Sequence, residues 1–145
     1  MLTFNKKLTI YLICFGSLLI SFFLGENSSG GAKLDFLATK KFIDLFQIDT
    51  NQGFNLFIDE GQVHFPFFYF IVANLNGYFG DFLINILYLL ISTSIPLVFY
   101  KTLKKKFLKV NKDDLFILSL LIFLSPYFRS SAVWITTDNL ALLFI

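Results

Sequence analysis

Long apolar runs alternate with short charged segments along this chain of 145 residues. Residues 8–24 contain no charged side chain, and neither do residues 82–100. Each run reaches or nearly reaches the roughly 20 residues that a helix needs to cross a bilayer. Residues 115–128 form a shorter third run, and a fourth begins at about residue 138. The pattern predicts an all-α fold, a multi-pass transmembrane helical bundle with three complete spans and one incomplete span.

The composition agrees with a membrane protein, because 56% of the residues are hydrophobic and the mean hydropathy is +0.70. A cleavable signal peptide is an alternative for the first run, since two lysines precede it. Its apolar core is longer than usual for a signal peptide, and no A-x-A-like cleavage site follows. We therefore expect residues 8–24 to be a span. Cys14 is the single cysteine, so the chain cannot form an intramolecular disulfide.

Lysines concentrate between the second and third runs. Residues 101–114 hold six lysines and two aspartates, which by the positive-inside rule predicts a cytoplasmic loop. The N-terminus, with Lys6 and Lys7, then also lies in the cytoplasm. Residues 25–81 become an outer loop with three lysines and seven acidic residues. We expect the lysines to bind anionic lipid head groups rather than nucleic acid.

The outer loop itself has a helical pattern. Residues 33–48 predict an amphipathic juxtamembrane helix of about four turns that lies at the membrane surface. The segment "IDTNQGFN" that follows is predicted to be a polar loop. Residues 65–75 are apolar but too short to span, which predicts a second interfacial or half-buried helix.

The candidate functional residues of the outer loop are acidic. Asp35 falls in the first turn of the predicted helix, where the helix dipole alone favours a carboxylate. Asp59, Glu60 and the only histidine, His64, precede Pro66, and a solvated loop before a helix accounts for them equally well. No second histidine and no metal-binding or nucleotide-binding motif is present, so no metal site is expected from this chain alone.

A second polar group lies near the predicted outer ends of the third and fourth spans. Arg129 and Trp134 are a common pair of interfacial anchors. Asp138 begins an apolar helix, where a carboxylate must face protein or water rather than lipid. We expect Asp138 to be a neighbour of the acidic residues of the outer loop.

The chain stops after "NLALLFI", seven apolar residues into the fourth run. A helix that ended inside the bilayer would leave polar terminal groups unsatisfied in hydrocarbon. The sequence therefore predicts the N-terminal piece of a longer protein. The alternative is a small three-span protein with a short apolar tail.

The order of these features resembles the N-terminal part of the GT-C glycosyltransferases, polytopic enzymes that use polyprenyl-phosphate sugars. The likeness is to relatives of protein O-mannosyltransferases and lipid A aminoarabinose transferases. "GGAKLDF" is similar to the family's outer acidic motif, and "HFPFFYFIVANLNGYFGDF" is similar to its His-Pro-Pro segment and the helix after it. "LSPYFRSSAVWITTDNLALLF" is similar to its Ser-Pro turn, its Arg-containing segment and its second acidic position.

The resemblance implies inverting sugar transfer from a polyprenyl-phosphate donor to a hydroxyl on the non-cytoplasmic face of the membrane. Asp35 would be the general base. Substrate-binding roles would fall to the other polar candidates: Asp138, Arg129, His64, Asp59 and Glu60. The acceptor would be a lipid, glycan or protein, and neither a cofactor nor a divalent-metal requirement is specified.

The likeness has three departures. Phe36 replaces the glutamate of the usual acidic pair, Phe65 replaces the first proline after His64, and Arg129 lies farther from Asp138 than in the family. A non-enzymatic membrane scaffold or assembly subunit is the alternative function. A transporter is disfavoured because the acidic residues cluster outside the spans, whereas transport sites lie near the bilayer midplane.

Overall fold

A computed structural model describes residues 2–28, 30–60 and 66–143 of the chain. These residues fold into α-helices without a β-strand, as predicted. The helices are α1 (Phe4–Leu24), α2 (Ala32–Ile48), α3 (Thr50–Asp59), α4 (Phe67–Phe79), α5 (Asp81–Lys106), α6 (Lys112–Leu120), a short 3₁₀ helix (Leu121–Leu124), α7 (Pro126–Trp134) and α8 (Thr137–Ala141).

Two helices, α1 with 21 residues and α5 with 26, are long and apolar enough to cross a membrane. The side chain of Thr3 caps the start of α1 by accepting a hydrogen bond from the backbone of Lys6. Gly25 ends α1 with a φ of 62°, a left-handed conformation that glycine adopts without steric cost. These boundaries agree with the runs at residues 8–24 and 82–100.

The predicted third span, residues 115–128, does not form one straight helix. Helix α6 passes into the 3₁₀ helix and ends, and α7 starts at Pro126 after a bend of 63°. The cause is local, because proline has no backbone N–H and disfavours the helical conformation in the preceding residue. Ser125 is accordingly extended, and its hydroxyl caps α7 at the backbone N–H of Phe128. The bent pair counts as a third span only if both parts belong to one crossing.

The prediction of a polar loop over "IDTNQGFN" is wrong, because these residues supply most of α3. Asp49 caps this helix by accepting hydrogen bonds from the backbones of Asn51 and Gln52 at 2.9 and 3.2 Å. Gly53 then permits close contact with α2, since a Cβ atom there would lie 2.5 Å from the ring of Phe46. The lysine-rich segment 101–114 is likewise partly helical, because α5 continues to Lys106.

The long helices run antiparallel to one another. The rings of Phe22 and Phe82 lie 6.3 Å apart where α1 ends and α5 begins, and the Tyr11 hydroxyl donates to the carbonyl of Thr93 at 2.7 Å farther along. At the opposite end, Lys7 of α1 forms an ion pair with Asp113 of α6 at 2.8 Å. The bundle therefore has a lysine-rich end, which contains the start of α1, the end of α5 and the start of α6.

Helices α2, α3 and α4 pack together at the other end of the bundle. Their aromatic side chains form one core with the first half of α5, in which Phe42 and Tyr69 are buried with ring centroids 6.2 Å apart. A second core joins α1, α5, α6 and α7 around Leu18, Leu89 and Phe123. The layer of α2 to α4 thus covers the end of the bundle that is opposite the lysine-rich end.

Candidate functional site

Two candidate acidic residues that are more than 100 positions apart in sequence lie around shared space. Asp35 and Asp138 both line a cavity of about 190 Å³ between α2, α4 and the turn from α7 to α8. Both also line an adjoining cavity of about 500 Å³, which extends past Ser125 and Asn139 toward Ile122. We call the two together the acidic cavity. The sequence predicted that Asp138 lies near acidic residues of the outer loop, and Asp35 is such a neighbour in the structure.

Asp35 has a backbone fixed by its helix and an exposed side chain. Its backbone N–H donates to the carbonyl of Gly31 at 3.0 Å in the first turn of α2. Within the described part of the chain, its exposed carboxylate has neither a hydrogen bond nor an ion pair. A carboxylate at a helix start is favoured by the dipole. Because no described residue bonds to it, this carboxylate can accept a hydrogen bond from a bound molecule.

Asp138 is instead fixed by two hydroxyl groups. Its Oδ2 atom lies 3.1 Å from the hydroxyl of Ser131 and 2.9 Å from that of Thr136. The turn that positions it places Ile135 at a φ of 49°, a strained conformation for a β-branched residue, while the Ile135 side chain is buried in the core. The structure thus maintains Asp138 in one orientation at the start of α8.

Helix α8 is anchored to the rest of the bundle by polar contacts. The amide of Asn139 donates to the carbonyl of Phe128 at 3.0 Å and to the hydroxyl of Ser92 at 3.3 Å, all in the interior. The hydroxyl of Tyr88 donates to the carbonyl of Thr136. These bonds connect the Asp138 turn to α5 and α7, so the position of the carboxylate depends on the packing of the whole bundle.

Tyr69 is a cavity residue that the sequence patterns did not single out. It is 3% exposed, lines the acidic cavity from α4, and interacts electrostatically with both carboxylates. Burial raises the pKa of its phenol, and the charges of Asp138 and Asp35 raise this pKa further. It is therefore protonated and can donate a hydrogen bond. The signal that could have identified it is its hydroxyl group, since Tyr69 is the one hydroxyl-bearing residue of "FPFFYF". The aromatic residues of this segment predicted only membrane anchoring.

Arg129 makes contacts outside the acidic cavity. It donates from Nε to the carboxylate of Glu26 at 3.0 Å, and from Nη1 to the Ser17 hydroxyl and the Phe123 carbonyl at 3.1 Å each. The hydrogen bond from Arg129 lowers the pKa of Glu26 to about 2. This network joins α1 to α7 and occupies the guanidinium. A phosphate-binding role for Arg129 stays a prediction.

The remaining candidates are distributed along α3 and beyond it. Glu60 forms an ion pair with Lys41 of α2, with its Oε1 atom 2.7 Å from Nζ. Asp59 ends α3 and is exposed. Neither residue lines the acidic cavity among its described walls. His64 lies outside the described residues.

Within residues 2–28, 30–60 and 66–143, no group of three or more histidine, cysteine or acidic side chains could hold a metal ion. Two carboxylates, hydroxyls and one phenol are groups that can form hydrogen bonds with the hydroxyl groups of a bound molecule.

No protein-family model, curated protein or solved structure matches this chain. Its function is therefore inferred from the chemistry of the acidic cavity and from the order of the sequence motifs.

Proposed function

We propose that this chain forms the acceptor-activating part of a membrane glycosyltransferase that uses a polyprenyl-phosphate sugar. The observation that carries the proposal is the shared cavity of Asp35 and Asp138. One carboxylate there has no partner among the described residues, and the other is fixed by hydroxyls. A general base must be able to take a proton, while a binding group must keep its orientation. The two carboxylates meet these different needs.

The chemistry is an inverting group transfer. The acceptor hydroxyl oxygen forms a bond to the anomeric carbon of the donor sugar as the bond from that carbon to the phosphate oxygen breaks. The polyprenyl phosphate leaves with the bonding electrons, and Asp35 receives the hydroxyl proton. Asp138 accepts a hydrogen bond from a second acceptor hydroxyl, and the Tyr69 phenol donates one.

The proposed orientation places the acidic cavity on the non-cytoplasmic side of the membrane. The lysine-rich end contains Lys7, Lys104, Lys105 and Lys106, whereas the acidic cavity lies beside the far ends of α1 and α5. Lysines favour the cytoplasmic side and anionic lipid head groups. A lipid-linked donor would then meet the acceptor at the outer leaflet.

An Asp35→Asn substitution introduced at the native gene tests this function. Membranes are incubated with a radiolabelled polyprenyl-phosphate sugar, and label transferred to endogenous acceptors is counted. Loss of a general base predicts a decrease of about 100-fold or more. Asp44→Asn is the matched control, because Asp44 is on the same helix, pairs with Lys40 and does not line the acidic cavity. Equal transfer in all three membranes would favour a non-enzymatic assembly subunit.

A further inference from the structure

An apolar groove adjoins the acidic cavity. It has a volume of about 260 Å³ and lies between α5, the 3₁₀ helix and the end of α8. Two of its walls, Ile122 and Leu142, also line the larger part of the acidic cavity. Among the described residues, the groove is lined by Ile95, Val98, Phe99, Thr102, Ile122 and Leu142. A polar space and an apolar space therefore share walls, a combination that fits a molecule with a polar head and an apolar chain.

The groove extends along the direction of the spanning helices. Its walls on α5 run from Ile95 to Thr102, a separation of seven positions that covers about 10 Å of helix length. They lead away from Ser92, which contacts Asn139 at the acidic cavity, and toward the lysine-rich end. A lipid chain in this groove would lie along the bilayer normal with its head at the acidic cavity.

The charge of the acidic cavity selects among lipid head groups. Its described walls include two carboxylates and no lysine or arginine. An anionic phosphate head would be repelled there, because like charges interact strongly in a partly buried site. Hydroxyl and ammonium groups are donors that a carboxylate accepts well. The phosphate of the donor therefore requires a cationic site other than these walls.

We infer that the acceptor of the proposed reaction is a membrane lipid whose head carries hydroxyl groups and no net negative charge. Its head occupies the acidic cavity, and its chain occupies the apolar groove. This inference rests on the proposed function and narrows its acceptor from lipid, glycan or protein to a lipid. In the transfer, a hydroxyl oxygen of this head bonds to the anomeric carbon, its proton goes to Asp35, and the polyprenyl phosphate departs.

Photocrosslinking in reconstituted vesicles tests the binding step without requiring transfer. The full protein is reconstituted with a trace of glucosyl diacylglycerol that carries a diazirine in its acyl chain. Phosphatidic acid with the same labelled chains is the anionic comparison. We expect the glucosyl lipid to label peptides of α5 that contain Val98 and Phe99, with a yield about fivefold above that of phosphatidic acid, as the loss of one hydrogen bond implies.

Two variants of adjacent residues separate the groove from the general lipid-facing surface. Val98→Trp fills the groove, whereas Leu97→Trp adds a similar ring at a residue outside it, and the two positions are 36% and 39% exposed. Val98→Trp should reduce the yield from the glucosyl lipid at least fivefold, and Leu97→Trp should leave it unchanged. Asp138→Asn should reduce the preference for the glucosyl head without reducing labelling by phosphatidic acid.

The outcomes distinguish this inference from the proposed function. Equal labelling by both lipids, or equal labelling in Val98→Trp and Leu97→Trp, means that only bulk lipid contacts α5, and this result overturns the inference. Transfer of sugar to a water-soluble peptide as fast as to the glucosyl lipid also overturns it while preserving the proposed function. Selective labelling in membranes that transfer sugar to no acceptor at all keeps the binding site but overturns the proposed function.

Discussion

At the scale of single residues, the two carboxylates of the acidic cavity differ in their surroundings more than in their chemistry. Asp138 is bonded to the hydroxyls of Ser131 and Thr136, while Asp35 has no such partner in the part of the chain that the structure describes. The guanidinium of Arg129 forms an ion pair with Glu26. Polar residues near this end of the bundle thus divide into those that hold the helices together and those that face open space.

The pair of Glu26 and Arg129 predicts a pH dependence of stability. The pKa of Glu26 in the folded protein, about 2, is below its ordinary value of 4.5. The carboxylate therefore stabilises the fold fully above pH 4.5 and loses this effect as the pH falls through about 2. Glu26→Gln should lower the free energy of unfolding by about 1.5–3 kcal/mol at pH 7, the range for hydrogen bonds to charged groups.

The fluorescence of Trp134 measures this effect directly. It is the only tryptophan, and its indole donates to the carbonyl of Glu26 at 2.8 Å. Denaturation of the detergent-solubilised protein should show a difference between wild type and Glu26→Gln that narrows from pH 7 to pH 3. A difference that stays constant over this range would mean that the ionised pair contributes nothing.

The hydrogen bonds by which Asn139 anchors α8 give a second prediction at this scale. Asn139→Leu keeps the side-chain volume similar but removes the donor to Phe128 and Ser92, which should cost about 1–3 kcal/mol of stability. Transfer should also fall, because Asp138 loses its support. Asn74→Leu is the control, since Asn74 is exposed and, among the described residues, bonds only to the carbonyl of Phe70 in its own helix. Similar denaturation midpoints for the two variants would contradict the anchoring role.

At the scale of helices, the sequence predicts those whose signals are local. The uncharged runs identify α1 and α5, and the amphipathic pattern of residues 33–48 identifies α2. The sequence pattern does not predict α3, because its asparagine, glutamine and glycine residues look like a polar loop. Packing on α2 stabilises the helix there. The sequence pattern also fails at Pro126, where hydropathy continues although the helix breaks.

The contact between α2 and α3 predicts an unusual cost for a glycine substitution. Gly→Ala within a helix ordinarily stabilises by up to about 1 kcal/mol. Gly53→Ala should instead destabilise by about 1–3 kcal/mol, because its methyl group would collide with the buried ring of Phe46. Gly77→Ala in α4 is the control, since a Cβ there meets nothing within 4 Å. Thermal denaturation compares them, and stabilisation by both variants would exclude the close contact.

At the scale of the whole molecule, the fold separates a lysine-rich end from an acidic end. Long-range packing creates this arrangement, so the sequence could predict the two charged regions and the proximity of Asp138 to the outer-loop acids, but neither the cavity nor the place of Tyr69 in it. The lysines near Lys7 and Lys104 lie far along the helices from that cavity. The orientation across the membrane follows from this separation as a prediction.

Cysteine labelling in intact cells tests the orientation. In a Cys14→Ser background, Asp44→Cys should react with a membrane-impermeant maleimide, and Lys109→Cys should react only after the membrane is permeabilised. Lys109 is exposed and the side chain of Asp44 is 50% exposed, so the reagent can reach each position from the side of the membrane on which it lies. The reverse pattern would contradict the proposed orientation and place the acidic cavity in the cytoplasm.

The central claim is that Asp35 is the base that activates an acceptor hydroxyl in the acidic cavity. The most direct measurement is single-turnover sugar transfer in membranes that contain wild type, Asp35→Asn or Asp35→Glu at equal protein levels. We expect a decrease of about 100-fold or more for Asp35→Asn and partial recovery for Asp35→Glu, which retains a carboxylate. Transfer by Asp35→Asn at the wild-type rate would contradict the claim.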